Sequence, residues 1–159
     1  MSKKTNLYSG RGGQMAVMAE FLMRGYNVAI PEVDVGDDIL VVTDSSGEYA
    51  RIQVKTALAV RTGSGYSTRY SLKFTQLRTP NSPETWYVFA NRLDGQWASF
   101  VIITRQQLYD FHRLHNIGSL NRNGTLGLYF SYTDSGVICS GQNLSSYLNN
   151  WRDWPDLDH

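Results

Sequence analysis

In the stretch QMAVMAEFLMRG, Met15, Met18, Ala19 and Leu22 fall at i, i+3, i+4 and i+7, a spacing that gathers them on one face of a helix. Gly25 is placed to stop that helix, and Gly10, Gly12 and Gly13 break the chain before it. Glu20 and Arg24, four apart, predict a surface ion pair. NVAIP then reads as a short strand ended by Pro31, EVDVGDD as an acidic, turn-rich connection, and DILVV as a continuous apolar strand. DSSGE is a hairpin turn that returns the chain into YARIQVKTA.

Within the returning strand, Ile52 and Val54 alternate with Arg51, Gln53 and Lys55. One face is therefore apolar, and the other carries a guanidinium, an amide and an ammonium in a row. Antiparallel pairing through the hairpin brings Asp38, at the start of one strand, beside Gln53 and Lys55 toward the end of its neighbour.

Further on, RTGSGYST reads as a flexible loop, RYSLKFT as a third strand and TPNSPE as a linker. TWYVFAN and QWASFVII predict a strand pair around the turn signal LDG. TRQQLYDFHRLH predicts a second helix with Thr104 as N-cap, LGLYFSYT a last strand, and QNLSSYLNNWRDWP a short closing helix. No internal repeat and no low-complexity segment is visible. The order helix, several strands, helix, strand, helix predicts an α/β domain with a mixed sheet, spanning residues 1–159 as one unit.

Composition narrows the class. With 159 residues, 42% apolar and 13% aromatic, the chain can bury a real core and is not a disordered tail. A net charge of +1 gives no global field toward nucleic acid or membrane, so any basic surface must be local. Cys139, the single cysteine, forms no internal disulfide and offers no thiolate zinc framework. The stretch MSKKTNLYSGRGG lacks the apolar core of a signal peptide, and no run approaches the ~20 apolar residues of a membrane span. The expectation is a reduced, cytoplasmic domain with no membrane partner.

The succession GRGGQMAVMAEFLMRGYNV, PEVDVGDDILVV and RIQVKT resembles the PD-(D/E)xK nuclease superfamily over residues 10–57. That superfamily includes restriction enzymes, junction resolvases and some group I intron homing endonucleases. In its core a first helix contributes an acid, one hairpin strand a metal-binding Asp, and the partner strand (D/E)xK. Gln53-Val54-Lys55 looks like the QxK variant known in a subset that includes the homing enzymes. The resemblance implies a restriction-endonuclease-like core with a mixed central β-sheet flanked by helices. It also implies a Mg²⁺- or Mn²⁺-dependent DNA endonuclease acting on duplex or branched DNA, as a homodimer or higher homo-oligomer.

Phosphodiester hydrolysis needs a divalent cation to polarise the phosphoryl oxygen, and Mg²⁺ prefers oxygen ligands. The resemblance assigns the metal to the Asp38 carboxylate, the Gln53 amide oxygen and the Val54 backbone carbonyl. Lys55 would sit beside the attacking water and the scissile phosphate, offsetting charge there. Arg51 extends the basic row toward backbone phosphates. Where the superfamily's helix carries an acid, this chain has Gln14, which the resemblance casts as a catalytic residue completing the metal shell through water or positioning the metal, so Asp38 is the one clear carboxylate of the expected site. Asp37 or Asp34 can assist, although Asp37 is expected to point away from Asp38 if the strand has already begun there. Either substrate phosphate assists metal binding, or the domain is a nuclease-like module with weak or lost activity that binds nucleic acid. A structural oligomeric protein with a coincidental QxK is the third alternative.

Other candidates are local. Arg11, in the GRGG stretch, can reach a phosphate, although the stretch lacks the pattern of a phosphate-binding P-loop. Arg61, Arg69 and Lys73, interleaved with Tyr66 and Tyr70, read either as a solvated hairpin or as the basic, aromatic edge of a DNA groove. His112 and His115 lie three apart on a helix without a third ligand, which predicts ordinary solvated or half-buried histidines. Trp151 and Trp154 are expected to be packing anchors.

Overall fold

The computed structural model describes residues 3–33 and 36–152. In chain order they form α1 (Lys3–Met23), β1 (Asn27–Ala29), β2 (Ile39–Val42), β3 (Tyr49–Leu58), β4 (Val60–Thr62), β5 (Gly65–Lys73) and α2 (Phe74–Arg78). There follow β6 (Thr85–Leu93), β7 (Gln96–Thr104), α3 (Arg105–His115), β8 (Ser119–Leu120), β9 (Thr125–Thr133), β10 (Gly136–Cys139), β11 (Gln142–Asn143) and a 3₁₀ turn, Ser145–Tyr147.

Two sheets and α1 make three layers. The first sheet has the order β1-β2-β3-β6-β7 and is mixed: β3 and β6 run parallel, the other neighbours antiparallel. The crossover from β3 to β6 is occupied by β4, β5 and α2, so the chain leaves the first sheet to begin the second before it returns. The second sheet, β11-β10-β9-β5-β4 with β8 on β9, is antiparallel throughout. Its inner side packs Leu72, Leu126, Leu128 and Phe130 against Phe89, Val101 and Ile103 of the first. The opposite face of the first sheet packs Ile39, Ile52, Val54, Val88 and Ile102 against Val17 and Phe21 of α1. The mixed sheet and flanking helices are those expected; the second sheet over one face was not anticipated.

Four expectations need correction. The helix does not start after the glycines but runs through them from Lys3. Gly13 faces β3 so closely that a Cβ there would stand 1.9 Å from Thr56 Oγ1, so the residue read as a breaker allows helix and sheet to touch. The buried face is Gly13, Val17 and Phe21, while Met15 (40% exposed) and Leu22 (55%) point outward. In RTGSGYST the expected loop is the β4–β5 hairpin, and Tyr66 stacks on Tyr132 with ring centres 4.6 Å apart. The closing segment forms β11 and a 3₁₀ turn rather than an α-helix among the described residues.

Other features agree with the sequence. Gly25 ends α1 at φ 86°, and Glu20 and Arg24 pair at 2.5 Å. The LDG turn places Asp94 and Gly95 at φ 52° and 83°, the two left-handed residues of a tight hairpin. Thr104 caps α3 with a full capping box to Gln107. Trp151 is buried edge-on against Phe21 and Phe100. Trp154 and Asp34 lie outside the described residues. Among the described residues no helix is long and apolar enough to cross a membrane.

Candidate active site

β3 is paired on both edges only as far as Ile52. On one side β2 begins at Ile39, opposite Ile52, while on the other β6 accompanies β3 to Leu58. Asp38 is the residue at which the β2 ladder stops. Its N–H donates to the Ile52 carbonyl (2.8 Å), and its side chain continues the ladder in place of backbone. Asp38 Oδ2 accepts the Val54 N–H at 2.7 Å and the Gln53 Nε2 amide at 2.6 Å. The apolar run ILVV sets the register of β2, and that register delivers a carboxylate to the open edge of β3.

Strand alternation sends Val54 toward α1 and Arg51, Gln53 and Lys55 to the opposite face, the side covered by the second sheet. Arg51 does not extend freely along this row. Its Nε donates to both oxygens of the buried Asp37 (3.1 and 2.9 Å) and its Nη2 lies 2.9 Å from Oδ2, so the two charges neutralise one another. β2 begins only at Ile39, so strand alternation does not separate the two acids: Asp37 holds Arg51 and Asp38 holds Gln53, two residues on the same face of β3. Gln53 is buried and Lys55 half-buried.

Gln14 reaches the site from α1, but at its backbone. The Gln14 Nε2 amide donates to the Asp38 carbonyl oxygen at 2.5 Å, and Gln14 Oε1 accepts from Arg11 Nη1 at 2.6 Å. Both ends of the amide are engaged, so Gln14 positions the residue that carries the carboxylate. Gly36, at φ 107°, closes the other side: a Cβ there would stand 2.7 Å from Gln76 Nε2 and 3.8 Å from Gln53 Oε1.

Three hollows follow the polar face of β3. One of about 270 Å³ lies along Arg51 and Gln53, bounded by Asn81 and Thr85. A second, about 540 Å³, lies between Gln53, Lys55, Ser71, Lys73 and Gln76. A third, about 590 Å³, lies beyond Lys55 between α1, β3 and β5. Gln76 and Ser71 were not anticipated. Alternation in RYSLK could have placed Ser71 on one face with Arg69 and Lys73, whereas nothing local in the sequence announced α2, which carries Gln76.

The remaining candidates separate. Arg69 and Lys73 are exposed on β5, and Arg61 on β4 is ion-paired with Asp94. Tyr66 is stacked on Tyr132, and Tyr70, although buried, lines the third hollow. Tyr70 is buried between the sheets, and desolvation raises its pKa to about 12. His112 bonds through Nδ1 to the Ile117 carbonyl at 2.8 Å, and His115 is exposed. Among the described residues no three His, Cys, Asp or Glu side chains gather as a metal cage. The donors that do converge near β3, one carboxylate and the amide of Gln53, suit a hard, oxygen-preferring cation rather than a thiophilic one.

A mixed sheet with β3 parallel to β6 and a helix on one face defines an α/β fold. It is similar to a solved bacterial homing endonuclease, I-Ssp6803I, with a TM-score of 0.55 over 92% of this chain and 89% of that one, at 14% sequence identity. No family model and no curated protein matches the chain.

Proposed function

We propose that this chain is a metal-dependent DNA endonuclease of the PD-(D/E)xK type in its QxK form, one domain across residues 1–159, working as a homo-oligomer. The observation that carries the reading is the contact of Gln53 with Asp38 at 2.6 Å, two residues before Lys55, in a fold similar to that of a homing endonuclease. Asp38, Gln53 through its amide oxygen and the Val54 carbonyl would hold Mg²⁺ or Mn²⁺. Such a cation polarises the phosphoryl oxygen and lowers the pKa of water.

The chain's own groups do the rest. Lys55 orients the attacking water and offsets charge developing on the phosphate. Gln14, steadied by Arg11, fixes the backbone of Asp38. Arg51, neutralised by Asp37, buttresses the Gln53 side of the cleft rather than drawing in phosphate. Arg69 and Lys73 hold the DNA backbone, with Arg11 and Arg61 as outlying cations.

A second reading, a nucleic-acid-binding module that does not cut, is favoured by one feature: Gln53 presents its NH₂ rather than its oxygen to Asp38. The experiment incubates supercoiled and branched DNA with Mg²⁺ or Mn²⁺ and compares the wild type with Lys55→Ala and Asp38→Ala. Loss of cutting in both variants is expected. Cutting that survives both substitutions sinks the site, and DNA bound but uncut under every condition selects the second reading.

A further inference from the structure

The outer row of β5 is chemically unlike the rest of the surface. Tyr70 and Leu72 point into the core, and Arg69, Ser71 and Lys73 alternate with them outward, all three exposed. At a strand rise of ~3.4 Å per residue, successive members of that row stand ~7 Å apart, close to the step between neighbouring phosphates of a nucleic-acid strand. None of the strands of the second sheet contains an Asp or Glu. Several arginines elsewhere have carboxylate partners, as in Arg51–Asp37, Arg61–Asp94 and Arg105–Glu84, whereas among the described residues others such as Arg11 and Arg92 bond only to an amide or a backbone carbonyl. Among the described residues neither Arg69 nor Lys73 has one.

Cross-strand neighbours sharpen the pattern. Arg69 pairs with Tyr129 of β9, and its guanidinium lies 5.5 Å from the ring centre, a stacking that orders the planar group while leaving its edges for hydrogen bonding. Ser71 pairs with Gly127, so no side chain of β9 stands over the hydroxyl. β5 also has an open edge, because β4 accompanies it only from Gly65 to Ser67. Along that edge the two larger hollows meet: Lys55 and Ser71 line both, Arg69 and Tyr129 only the first, Lys73 only the second, and among the described residues neither contains an acidic one.

We infer that the open edge of β5 is a phosphate track: one strand of duplex DNA lies along it, with Ser71 beside the phosphate presented to Lys55, and with Arg69 and Lys73 on the phosphates to either side. The choice of DNA rests on the nuclease reading above; the track itself rests on charge, spacing and the open edge. It gives the bound strand a direction, along β5 rather than across the sheets, and it makes Ser71 and Tyr129 contact residues.

The test is binding without cleavage. Full-length protein is titrated against a fluorescein-labelled 30-base-pair duplex of arbitrary sequence in EDTA, by anisotropy, over a range of KCl concentrations. Each phosphate contact removed lowers the slope of log affinity against log salt by about 0.9. The Arg69→Gln/Lys73→Gln double variant should therefore flatten the slope by nearly two and weaken binding at least tenfold near 0.1 M salt. Ser71→Asp, which sets a carboxylate in the middle of the track, should weaken it at least tenfold, and Arg113→Gln on α3 should change neither quantity. Unchanged slope and affinity in the double variant, wild type that does not bind duplex DNA, or tighter binding of duplex RNA would each overturn the inference. The two readings fail separately. Lys55→Ala that still cuts removes the nuclease assignment and leaves the track standing, whereas Lys55→Ala that binds but does not cut, beside an unaffected Arg69/Lys73 variant, removes the track alone.

Discussion

Replacing Asp38 separates the structural from the chemical duty of one carboxylate. In the Asp38→Ala variant the Val54 N–H and the Gln53 amide lose the acceptor they share at 2.7 and 2.6 Å. Both residues are about 8% exposed, so the released donors are largely shielded from water. An unsatisfied buried donor costs about 1–3 kcal/mol. Asp38 itself is half-buried and its removal admits water, so the lower end applies to each, about 2–3 kcal/mol in all. For a chain of this size, 1 kcal/mol moves Tm by about 2–4 °C, which puts the Asp38→Ala loss near 5–10 °C. Asp38→Asn keeps an oxygen for Val54 and loses the charge. It should melt within about 3 °C of the parent, since only one hydrogen bond is weakened. Its metal-dependent cutting should nevertheless fall by about 10²–10³-fold, as when one preorganised electrostatic group is removed. Differential scanning fluorimetry and a plasmid-nicking assay on the same preparations give both numbers. An Asp38→Ala protein that melts with the parent would refute the ladder-capping role. An Asp38→Asn protein that cuts within tenfold of the parent would refute the charged one.

Three further outcomes follow from the packing. Gly13→Ala would ordinarily favour a helix by ~1 kcal/mol, but its Cβ would collide with Thr56, so a net loss of ~1–3 kcal/mol in chemical denaturation is expected, partly recovered by adding Thr56→Ala. Asp37→Ala leaves Arg51, 21% exposed, without its partner; the loss should be about 2–4 kcal/mol, with coupling to Arg51→Ala visible in a double-mutant cycle by urea denaturation. Burial, opposed more weakly by Arg105, holds Tyr87 to about 12, and Tyr70 is held to about 12 by burial, whereas both ionise near 10 when unfolded. Their folded pKa values are raised, so the stability they contribute is complete below pH 10 and is lost as pH climbs from 10 to 12; thermal melts across that window should show the fall, and Tyr70→Phe should blunt it.

The parts of the fold that rest on local rules were legible. The β2–β3 hairpin followed from an apolar run, a turn and strict alternation, and hairpin geometry alone brought Asp38 to Gln53. The LDG turn and the Thr104 cap carry their own chemistry in a few residues. What escaped was decided between elements. Residues 15–19 and 21–23 of α1 are apolar on every side, so the periodicity could not say which face meets the sheet; the glycines do, through the absence of a side chain at Gly13. β5 and β9 were legible as strands, but nothing local said that they pair with each other along their length, across more than fifty residues, to found a second sheet. The cleft depends on how far β5 stands from β3, and no sequence pattern encodes that separation.

The site's charge explains why its parts belong together. Among the described residues Asp37 is matched by Arg51 and Asp38 is the other carboxylate at the open edge of β3, beside a hollow lined by Gln53, Gln76, Ser71, Thr125 and the cations Lys55 and Lys73. A divalent cation placed there meets a single full negative charge on the protein side and the positive field of Lys55, so the cleft alone holds it weakly. A nucleic-acid strand on β5 changes the balance, because its phosphates bring negative charge to the same space and face Arg69 and Lys73 rather than a competing acid. Linkage then acts in both directions: the factor by which DNA tightens the cation is the factor by which the cation tightens DNA. Under that coupling Gln14 and Gln53 are not missing acids. Under the proposed function, a second or third carboxylate would hold the cation before substrate arrives and would repel the phosphate beside it; amides would keep the donors and remove the repulsion, so that the site would assemble only when DNA completes it.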